Sequence, residues 1–215
     1  MSGRFHDRAD AGRQLAERLA HLRGGDVVVL GLPRGGVPVA AEVARLLGAP
    51  LDVVVVRKLG VPWRPEVAMG AVGEDGVREV DAVTVNDAHV TDAELEEVAR
   101  RERLVVQARA ARLRVARPRV ALSGRTAVVV DDGLATGATA RAACRVVRAL
   151  GAAHVVVAVP VGPRGSARAV PEADELVVLR TPHSFHAVGE FYDDFSETTD
   201  LEVDRLLAEQ PTVQP

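Results

Sequence analysis

Five short runs rich in valine constrain the fold of this chain more than any other feature. The runs are residues 26–32 (DVVVLGL), 51–58 (LDVVVVRK), 126–131 (TAVVVD), 153–161 (AHVVVAVPV) and 175–180 (ELVVLR). Continuous apolar runs of this length are typical of strands buried on both faces of a parallel sheet. Apolar residues at helical spacing accompany them at 11–22, 36–48 and 138–150. The alternation predicts an α/β fold: a doubly wound, mostly parallel sheet of about five strands with helices on both faces.

The segments between these runs carry weaker signals from proline, glycine and charge. The predicted elements are a long loop with room for a short hairpin at 59–76, edge strands at 77–85, a surface helix at 91–115, a short helix at 166–170 and a last helix at 200–208. Thr91 and Glu94 are spaced as a capping box for the surface helix. Because no linker divides the chain, we predict a single domain over residues 1–215.

Composition narrows the class of protein. Of the 215 residues, 47% are hydrophobic, which favours a globular protein over a disordered one. The net charge of -3 argues against a protein built mainly to hold nucleic acid. No apolar run approaches the roughly 20 residues of a membrane span, and the first residues lack the apolar core of a signal peptide. Cys144 is the only cysteine, so an internal disulfide is excluded and a small buried side chain is expected. We therefore expect a cytoplasmic protein with neither DNA nor a membrane as its partner.

The segment AVVVDDGLATGAT, residues 127–139, places two carboxylates and two hydroxyls after the third predicted strand. Helix capping alone would explain one aspartate and one threonine, but not Asp131 and Asp132 together with Thr136 and Thr139. Backbone amides in a tight loop before a helix bind anions, and threonine hydroxyls add donors. Adjacent carboxylates suit a polyol or a hydrated Mg²⁺. The segment therefore predicts a receptor for a sugar phosphate.

Polar residues follow other predicted strands as well. Polar clusters lie at four predicted strand ends, near Arg34, Lys58, Asp131 and Pro160. In parallel sheets of this kind, ligands bind beyond the carboxyl ends of the strands. We therefore expect one shared site. Lys58 is the only lysine, which either reflects a compositional bias or marks a need for a compact ammonium group. The chain has neither a P-loop nor a dinucleotide-binding fingerprint.

These residues resemble the motifs of type I phosphoribosyltransferases. VVVDDGLATGAT, residues 128–139, resembles the family's phosphoribosyl pyrophosphate (PRPP) signature. LPRGG, residues 32–36, is similar to the family's first-strand loop, which meets pyrophosphate and often holds an unusual peptide bond. VRK, residues 56–58, resembles the basic strand end before the family's mobile loop. VGEFYDD, residues 188–194, is similar to the hood segment of its purine enzymes.

The resemblance implies how the domain is organised. The core would span about residues 26–180, and a mobile loop would span about 59–81. A small hood would be formed by the terminal segments, residues 1–25 and 181–215. The resemblance also implies a homodimer that acts on small molecules.

Roles for individual residues follow from the same resemblance. The implied catalytic residues are Asp131, Asp132, Lys58 and Arg34. The implied PRPP-binding residues are Arg34, Gly35, Arg57, Lys58, Asp131, Asp132, Gly133, Leu134, Ala135, Thr136, Gly137, Ala138 and Thr139. The aspartates would hold the ribose hydroxyls, the loop after them the 5-phosphate, and the basic residues the leaving pyrophosphate. Phe185 and Tyr192 would bind the base, and Mg²⁺ would reach Asp131, Asp132 and Asp193 mostly through PRPP or water.

The implied activity is Mg²⁺-dependent transfer of the 5-phosphoribosyl group from PRPP to a nucleobase-like acceptor, with release of pyrophosphate. One position departs from part of the family. Ala135 stands where enzymes for 6-oxopurines carry an acid and adenine enzymes carry alanine, so the acceptor stays open. A catalytically inactive PRPP sensor that regulates a partner is the alternative.

Several other residues have two interpretations each. Glu66 and Glu74 are either candidate general bases or solvated acids of the predicted loop. Trp63 would make a lid contact or a dimer contact. HSFH, residues 183–186, could suit a metal but has no carboxylate or cysteine to complete the set. The arginines of residues 100–119 are expected to form a solvated helix face rather than an RNA-binding surface.

Overall fold

The computed structural model describes residues 3–115 and 118–209. The strands are β1 (Val27–Gly31), β2 (Leu51–Val53), β3 (Val56–Val61), β4 (Arg64–Gly73), β5 (Arg78–Val80), β6 (Thr126–Val130), β7 (His154–Val161) and β8 (Glu175–Arg180). The α-helices are α1 (Arg8–Arg18), α2 (Gly36–Leu47), α3 (Ala82–Asp87), α4 (Asp92–Arg114), α5 (Ala138–Ala149) and α6 (Asp200–Ala208). Short 3₁₀ turns lie at Ala20–Leu22, Glu74–Gly76, Ser166–Arg168 and Val188–Phe191.

A five-stranded parallel sheet in the order β2-β1-β6-β7-β8 forms the centre of the molecule. In register, Val29 of β1 pairs with Leu51 of β2 and with Val128 of β6. Alternate residues of each strand point to opposite faces. Val29 belongs to the hydrophobic cluster that contains residues of α1 and α2, and Val28 to the cluster that contains residues of α5. The predicted doubly wound parallel sheet is therefore confirmed.

The predicted strand at 51–58 is wrong as a single element. β2 ends at Val53 within the parallel sheet, and β3 begins at Val56 in a separate antiparallel sheet, β3-β4-β5. Arg57 is exposed and Lys58 half-buried, whereas Leu59 is fully buried. β2 is buried along its whole length, whereas β3 alternates between buried and exposed side chains, so the chain leaves the parallel sheet before Arg57 and Lys58.

The segment 59–76, predicted as a long loop with room for a short hairpin, forms the hairpin and leaves almost no loop. β3 and β4 form a hairpin whose turn is Pro62 and Trp63, and β5 extends the sheet. Of the edge strands expected over 77–85, only β5 forms. The next residues make helix α3, because the Asp81 side chain caps it by accepting a hydrogen bond from the Thr84 backbone N–H at 3.2 Å.

The other predicted helices lie close to their expected positions. The capping box of Thr91 and Glu94 opens α4. Cys144 of α5 is buried among apolar neighbours, and this burial raises the pKa of its thiol to about 12. Among the described residues, no helix has both the length and the apolar character needed to cross a membrane.

The two terminal segments pair beside the parallel sheet. The backbone N–H of Phe5 donates to the Phe191 carbonyl at 2.8 Å, and the N–H of Asp193 donates to the Phe5 carbonyl at 2.8 Å. The ring of Tyr192 packs between those of Phe5 and Phe195, at centroid distances of 5.4 and 5.0 Å. This aromatic cluster fixes the carboxyl-terminal segment next to the end of β6.

Candidate functional site

The loop between β6 and α5 begins with the two aspartates. Gly137 precedes the first residue of α5 at φ 75°, in the left-handed region. A Cβ there would lie 2.8 Å from the Ala169 carbonyl oxygen, so the turn requires glycine. The loop thus leads directly into the helix N-terminus, where the first backbone N–H groups have no intrahelical partners and attract anions.

Asp131 lies deep in this loop, although solvent still reaches part of it. Its Oδ1 accepts a hydrogen bond from the Asp132 backbone N–H at 2.9 Å. Burial raises the pKa of Asp131 well above the usual carboxyl value, and the nearby charge of Asp132 adds to this rise. The Asp131 carboxylate therefore gains from any ligand that supplies hydroxyl donors or positive charge.

Asp132 has a strong partner that the sequence did not reveal. The Arg8 side chain places Nε and one terminal nitrogen each 2.9 Å from Asp132 Oδ2. Arg8 also donates to the Ser196 carbonyl at 2.7 Å and lies 3.9 Å from the centroid of the Phe195 ring. Burial raises the pKa of Asp132, and the Arg8 charge opposes that rise. Arg8 therefore links the first helix, the terminal segment and the aspartate loop.

The LPRGG loop lies against the aspartates. A Cβ on Gly35 would collide with the Asp132 carboxylate, and one on Gly36 would lie 2.5 Å from the Val130 carbonyl oxygen. Only glycine allows this close approach. The peptide bond between Pro33 and Arg34 is cis. The Arg34 side chain forms an ion pair with Glu197 and lies 3.9 Å from Asp200.

A cleft of about 440 Å³ opens beside the loop that follows the aspartates. Its walls include Pro33, Arg57, Lys58, Thr136, Ala138 and Thr139, together with Arg101, Glu102 and Arg109 of α4. Lys58 Nζ lies 3.1 Å from Glu66 Oε2, and Arg57 Nε lies 2.8 Å from Glu102 Oε2. The structure thus brings the predicted basic strand end and the predicted phosphate loop to one cavity.

The arginines of α4 correct the expectation of a uniformly solvated face. Arg101 and Arg109 line the cleft, whereas Arg100 is exposed and pairs with Glu97 at 2.8 Å. Positions 101 and 109 are about two helical turns apart and so share a face. That spacing was a usable signal, although nothing in the sequence indicates that this face meets a cavity.

Two further expectations need correction. Tyr192 was expected to bind the base, but its side chain is almost completely buried and its hydroxyl donates to the Asp132 carbonyl oxygen at 2.6 Å. Glu74 was expected in a loop as a base or a solvated acid. It is buried instead, and its Oε2 accepts a hydrogen bond from Arg114 Nε at 2.8 Å. The ring of Tyr192 and the carboxylate of Glu74 are therefore already engaged within the protein.

Other predicted residues lie outside the cleft. Phe185 stacks on Phe191 at a centroid distance of 5.6 Å and keeps part of its surface exposed. Asp193 is half-exposed and lies 3.8 Å from Arg4. Within residues 3–115 and 118–209, no three His, Cys, Asp or Glu side chains are grouped so as to hold a metal. His183 of the HSFH segment contacts Arg164 at 2.8 Å.

Comparison with known proteins gives consistent findings. The model of the phosphoribosyl transferase domain family matches residues 3–196. Two Mycobacterium tuberculosis proteins, "Putative phosphoribosyl transferase MT0597" of strain CDC 1551 / Oshkosh and "Putative phosphoribosyl transferase Rv0571c" of strain ATCC 25618 / H37Rv, are each 59% identical over 204 residues. Those matches cover 94% of this chain and 46% of each relative, so the chain spans about half the length of these curated relatives.

A solved structure is also similar over nearly its whole length. The protein TT1426 from Thermus thermophilus is 49% identical, with a TM-score of 0.90. The match covers 96% of this chain and 99% of that one. At this level of similarity, the same arrangement of strands and helices is expected throughout.

Proposed function

Because the chain belongs to the phosphoribosyl transferase domain family, we propose that it transfers the 5-phosphoribosyl group from PRPP to a nucleobase-like acceptor and releases pyrophosphate. One observation carries this proposal: a carboxylate pair and a phosphate-type loop follow the same central strand, beside a cleft of about 440 Å³ that is lined with cations. A sugar phosphate with a diphosphate leaving group requires that combination of hydroxyl acceptors and anion donors.

In the proposed reaction, a ring nitrogen of the acceptor forms a bond to C1 of the ribose while the bond from C1 to the pyrophosphate oxygen breaks. Asp131 and Asp132 would accept hydrogen bonds from the ribose hydroxyls. Their negative charge would also stabilise the positive charge that develops on the sugar ring in the transition state. Arg8 would hold the Asp132 carboxylate in one orientation, since it contacts the same oxygen through two nitrogens.

The leaving pyrophosphate would be bound by Arg34, Lys58 and the Gly35 amide. In the structure, Arg34 pairs with Glu197 and Lys58 with Glu66. The side chains of Glu197 and Glu66 are 75% and 89% exposed. Exposed ion pairs contribute little stability, so substrate phosphates could replace either carboxylate at small cost.

The Mg²⁺ requirement is part of the same proposal. No described group hydrogen-bonds to the second carboxylate oxygen of Asp131, so this hard oxygen is open to a hydrated cation or a ribose hydroxyl. When bound, Mg²⁺ would neutralise charge on the diphosphate. Asp131 and Asp132, with Asp193 through water, would be its nearest protein partners, consistent with the preference of Mg²⁺ for substrate phosphates and retained waters.

The acceptor base would bind near Phe185, whose ring is partly exposed next to the end of β8. Ala135 supplies no acid to recognise a 6-oxopurine, so we favour acceptors other than hypoxanthine and guanine. A homodimer and a cytoplasmic location stay predictions.

A PRPP sensor is the second candidate, and one observation favours it. Glu74, one of the two acids considered as general bases, is buried and lies 2.8 Å from Arg114, so it is not available as a base. A protein that only binds PRPP needs no base. The enzyme remains our conclusion, because cations positioned for a departing pyrophosphate serve a sensor less directly.

The test is pyrophosphate release from PRPP and Mg²⁺ across a panel of purine and pyrimidine bases, with a control lacking base. We expect release with one base or a small group of related bases, and none in the variant carrying both Asp131→Asn and Asp132→Asn. Binding of PRPP without release for any base would favour the sensor. Absence of PRPP binding by the wild-type protein would reject both functions.

A further inference from the structure

The residues that line the cleft carry more positive than negative charge. Four cationic side chains line the cleft, those of Arg57, Lys58, Arg101 and Arg109, against the single lining carboxylate of Glu102. Glu102 is shared, since its two oxygens lie 2.8 Å from Arg57 and 3.4 Å from Arg101. One carboxylate therefore faces two guanidinium groups, and a net positive charge remains.

Arg109 is the exceptional member of this set. Among the described residues, no hydrogen-bond acceptor or ion-pair partner contacts its guanidinium, although the side chain is half-buried. Burial lowers the pKa of Arg109 from its ordinary value. The carboxylate of Asp200 opposes this shift, whereas neighbouring positive charges add to it, those of Arg34, Arg112 and Arg57. Asp200 is itself 3.2 Å from Arg112, so it is only partly available to Arg109.

An arginine keeps its charge at neutral pH even when its pKa is lowered moderately. A half-buried guanidinium among other guanidiniums is unfavourable unless an anion joins it. The planar fork of arginine matches two oxygens of a phosphate. A bound oxyanion would therefore interact most favourably with the guanidinium of Arg109.

The position of the cleft indicates which oxyanion would bind there. Thr136 and Thr139 of the phosphate-type loop also line the cleft, as does Pro33, the residue before Arg34. No described residue beyond Thr139 lines the cleft, so the aromatic side chains of the carboxyl-terminal segment do not reach it. An anionic group here would therefore belong to a phosphate of the ligand rather than to its base. The loop with Thr136 and Thr139 would hold the 5-phosphate, so the diphosphate is the group left for Arg57, Lys58 and the neighbouring arginines of α4.

We propose that Arg101 and Arg109 of α4, together with Arg57 of β3, form an anion subsite that binds a terminal phosphate oxyanion of the diphosphate group of PRPP. This inference rests on the proposed function. It adds to the residues implied by the sequence motifs a contribution from α4, which lies between the hairpin and β6 in the chain. Arg109 would be the principal contact because it has no carboxylate to give up.

The test compares three ligands by isothermal titration calorimetry in the presence of Mg²⁺: PRPP, inorganic pyrophosphate and ribose 5-phosphate. We expect Arg109→Gln to weaken PRPP and pyrophosphate binding by about ten- to a hundredfold, the usual effect of losing a charge-assisted hydrogen bond. Ribose 5-phosphate lacks the diphosphate, so its affinity should stay within about twofold of wild type. Arg109→Lys should recover part of the loss, and it provides a second variant if Arg109→Gln folds poorly.

Arg100→Gln is the matched control, because Arg100 lies on the exposed face of the same helix. It should leave all three affinities unchanged. Unchanged pyrophosphate affinity in Arg109→Gln would overturn the subsite while leaving the proposed function intact. An equal loss for all three ligands would also overturn it, since the effect would not be confined to the diphosphate. Failure of the wild-type protein to bind PRPP or pyrophosphate would overturn the subsite and the proposed function together.

Discussion

The two sides of the candidate site differ in whether their charged side chains have a partner of opposite charge. On the side of the aspartate loop, Asp132 is bound by Arg8, and its backbone carbonyl accepts the Tyr192 hydroxyl. On the α4 wall, Arg109 lacks any such partner among the described residues. The first side has its carboxylate paired with a cation, whereas the second side has a cation that an anion of the proposed substrate would pair with. In the proposed function, the site would thus be organised at the reacting sugar and would have unpaired charge at the leaving group.

The largest expected effect is on turnover and would sharpen this contrast. In the proposed reaction, Asp131→Asn would remove a negative charge that stabilises the developing positive charge of the sugar, while keeping the size of the side chain. We expect kcat/KM for pyrophosphate release to fall roughly 100- to 1,000-fold, as for other preorganised electrostatic contacts. A fall of less than about fivefold would show that Asp131 is not part of the organised side.

The same variant separates catalysis from stability through pH. Burial raises the folded-state pKa of Asp131 above its ordinary value of 3.8, so the folded protein binds this proton more tightly than the unfolded chain. The stability of the wild type relative to Asp131→Asn should therefore decrease as pH rises from 3.8 through the raised value. Urea unfolding of both proteins at several pH values measures this slope, and a slope of opposite sign would contradict the assignment.

The next effect tests whether the charges of α4 lack partners along the whole helix or only where the helix lines the cleft. Arg114, at the end of α4, binds Glu74 at 2.8 Å and Asp52 at 2.6 Å, and both carboxylates are buried. Arg114→Gln would leave these charges without their cation, so we expect about 3–5 kcal/mol of destabilisation. Thermal unfolding should show a fall of roughly 8–15 °C.

Arg100→Gln serves again as the control for α4, and its melting temperature should stay within about 1 °C of wild type. If Arg114→Gln were equally mild, the base of α4 would be less firmly held than the ion-pair geometry indicates. The comparison between the two sides would then concern rigidity as well as charge.

A smaller effect is expected from breaking the organised side itself. Arg8→Gln removes the cation bound to Asp132, whose side chain is 17% exposed and so keeps some hydration. We expect about 2–3 kcal/mol of destabilisation, seen as a fall of roughly 5–10 °C in thermal unfolding. Arg13→Gln in the same helix is the control, because its pair with Asp10 is exposed and 3.8 Å long. Equal melting temperatures for the two variants would remove Arg8 from this role.

The smallest expected effect is on the free energy of unfolding, and it is a gain in stability rather than a loss. Without ligand, Arg109→Gln removes an unpaired, half-buried charge from a cationic cluster, so we expect stability to be unchanged or raised by up to about 1 kcal/mol. Thermal unfolding in phosphate-free buffer measures this. A clear loss of stability would mean that Arg109 has a structural partner, and the contrast between the two sides would break.

Local patterns predicted the parallel sheet and the aspartate loop. Valine runs report burial on both faces, and the carboxylates, glycines and threonines of residues 128–139 lie together in one short segment. The start of the hairpin was missed because Val56 prolongs an apolar run, although the charges of Arg57 and Lys58 beside Leu59 already show the alternation of a half-exposed strand.

The rest of the site depends on contacts between distant parts of the chain. Arg8 and Asp132 are separated by 124 positions, and Arg114 and Glu74 by 40. Nothing near Arg8 in the sequence distinguishes it from the other arginines, and Glu74 looks like any acid of a glycine-rich segment. The partners of such ion pairs come together only when the sheet and helices have packed, so the local sequence does not reveal them.

Trp63 gives the hairpin an optical property of its own. It is the only tryptophan of the chain, and it sits in the turn between β3 and β4 with 52% of its surface exposed. Indole emission shifts to shorter wavelength when water around the ring is replaced by protein. The indole fluorescence of the unlabelled protein therefore comes from this one turn, so every spectrum records how the hairpin is packed, with no dye and no substitution required.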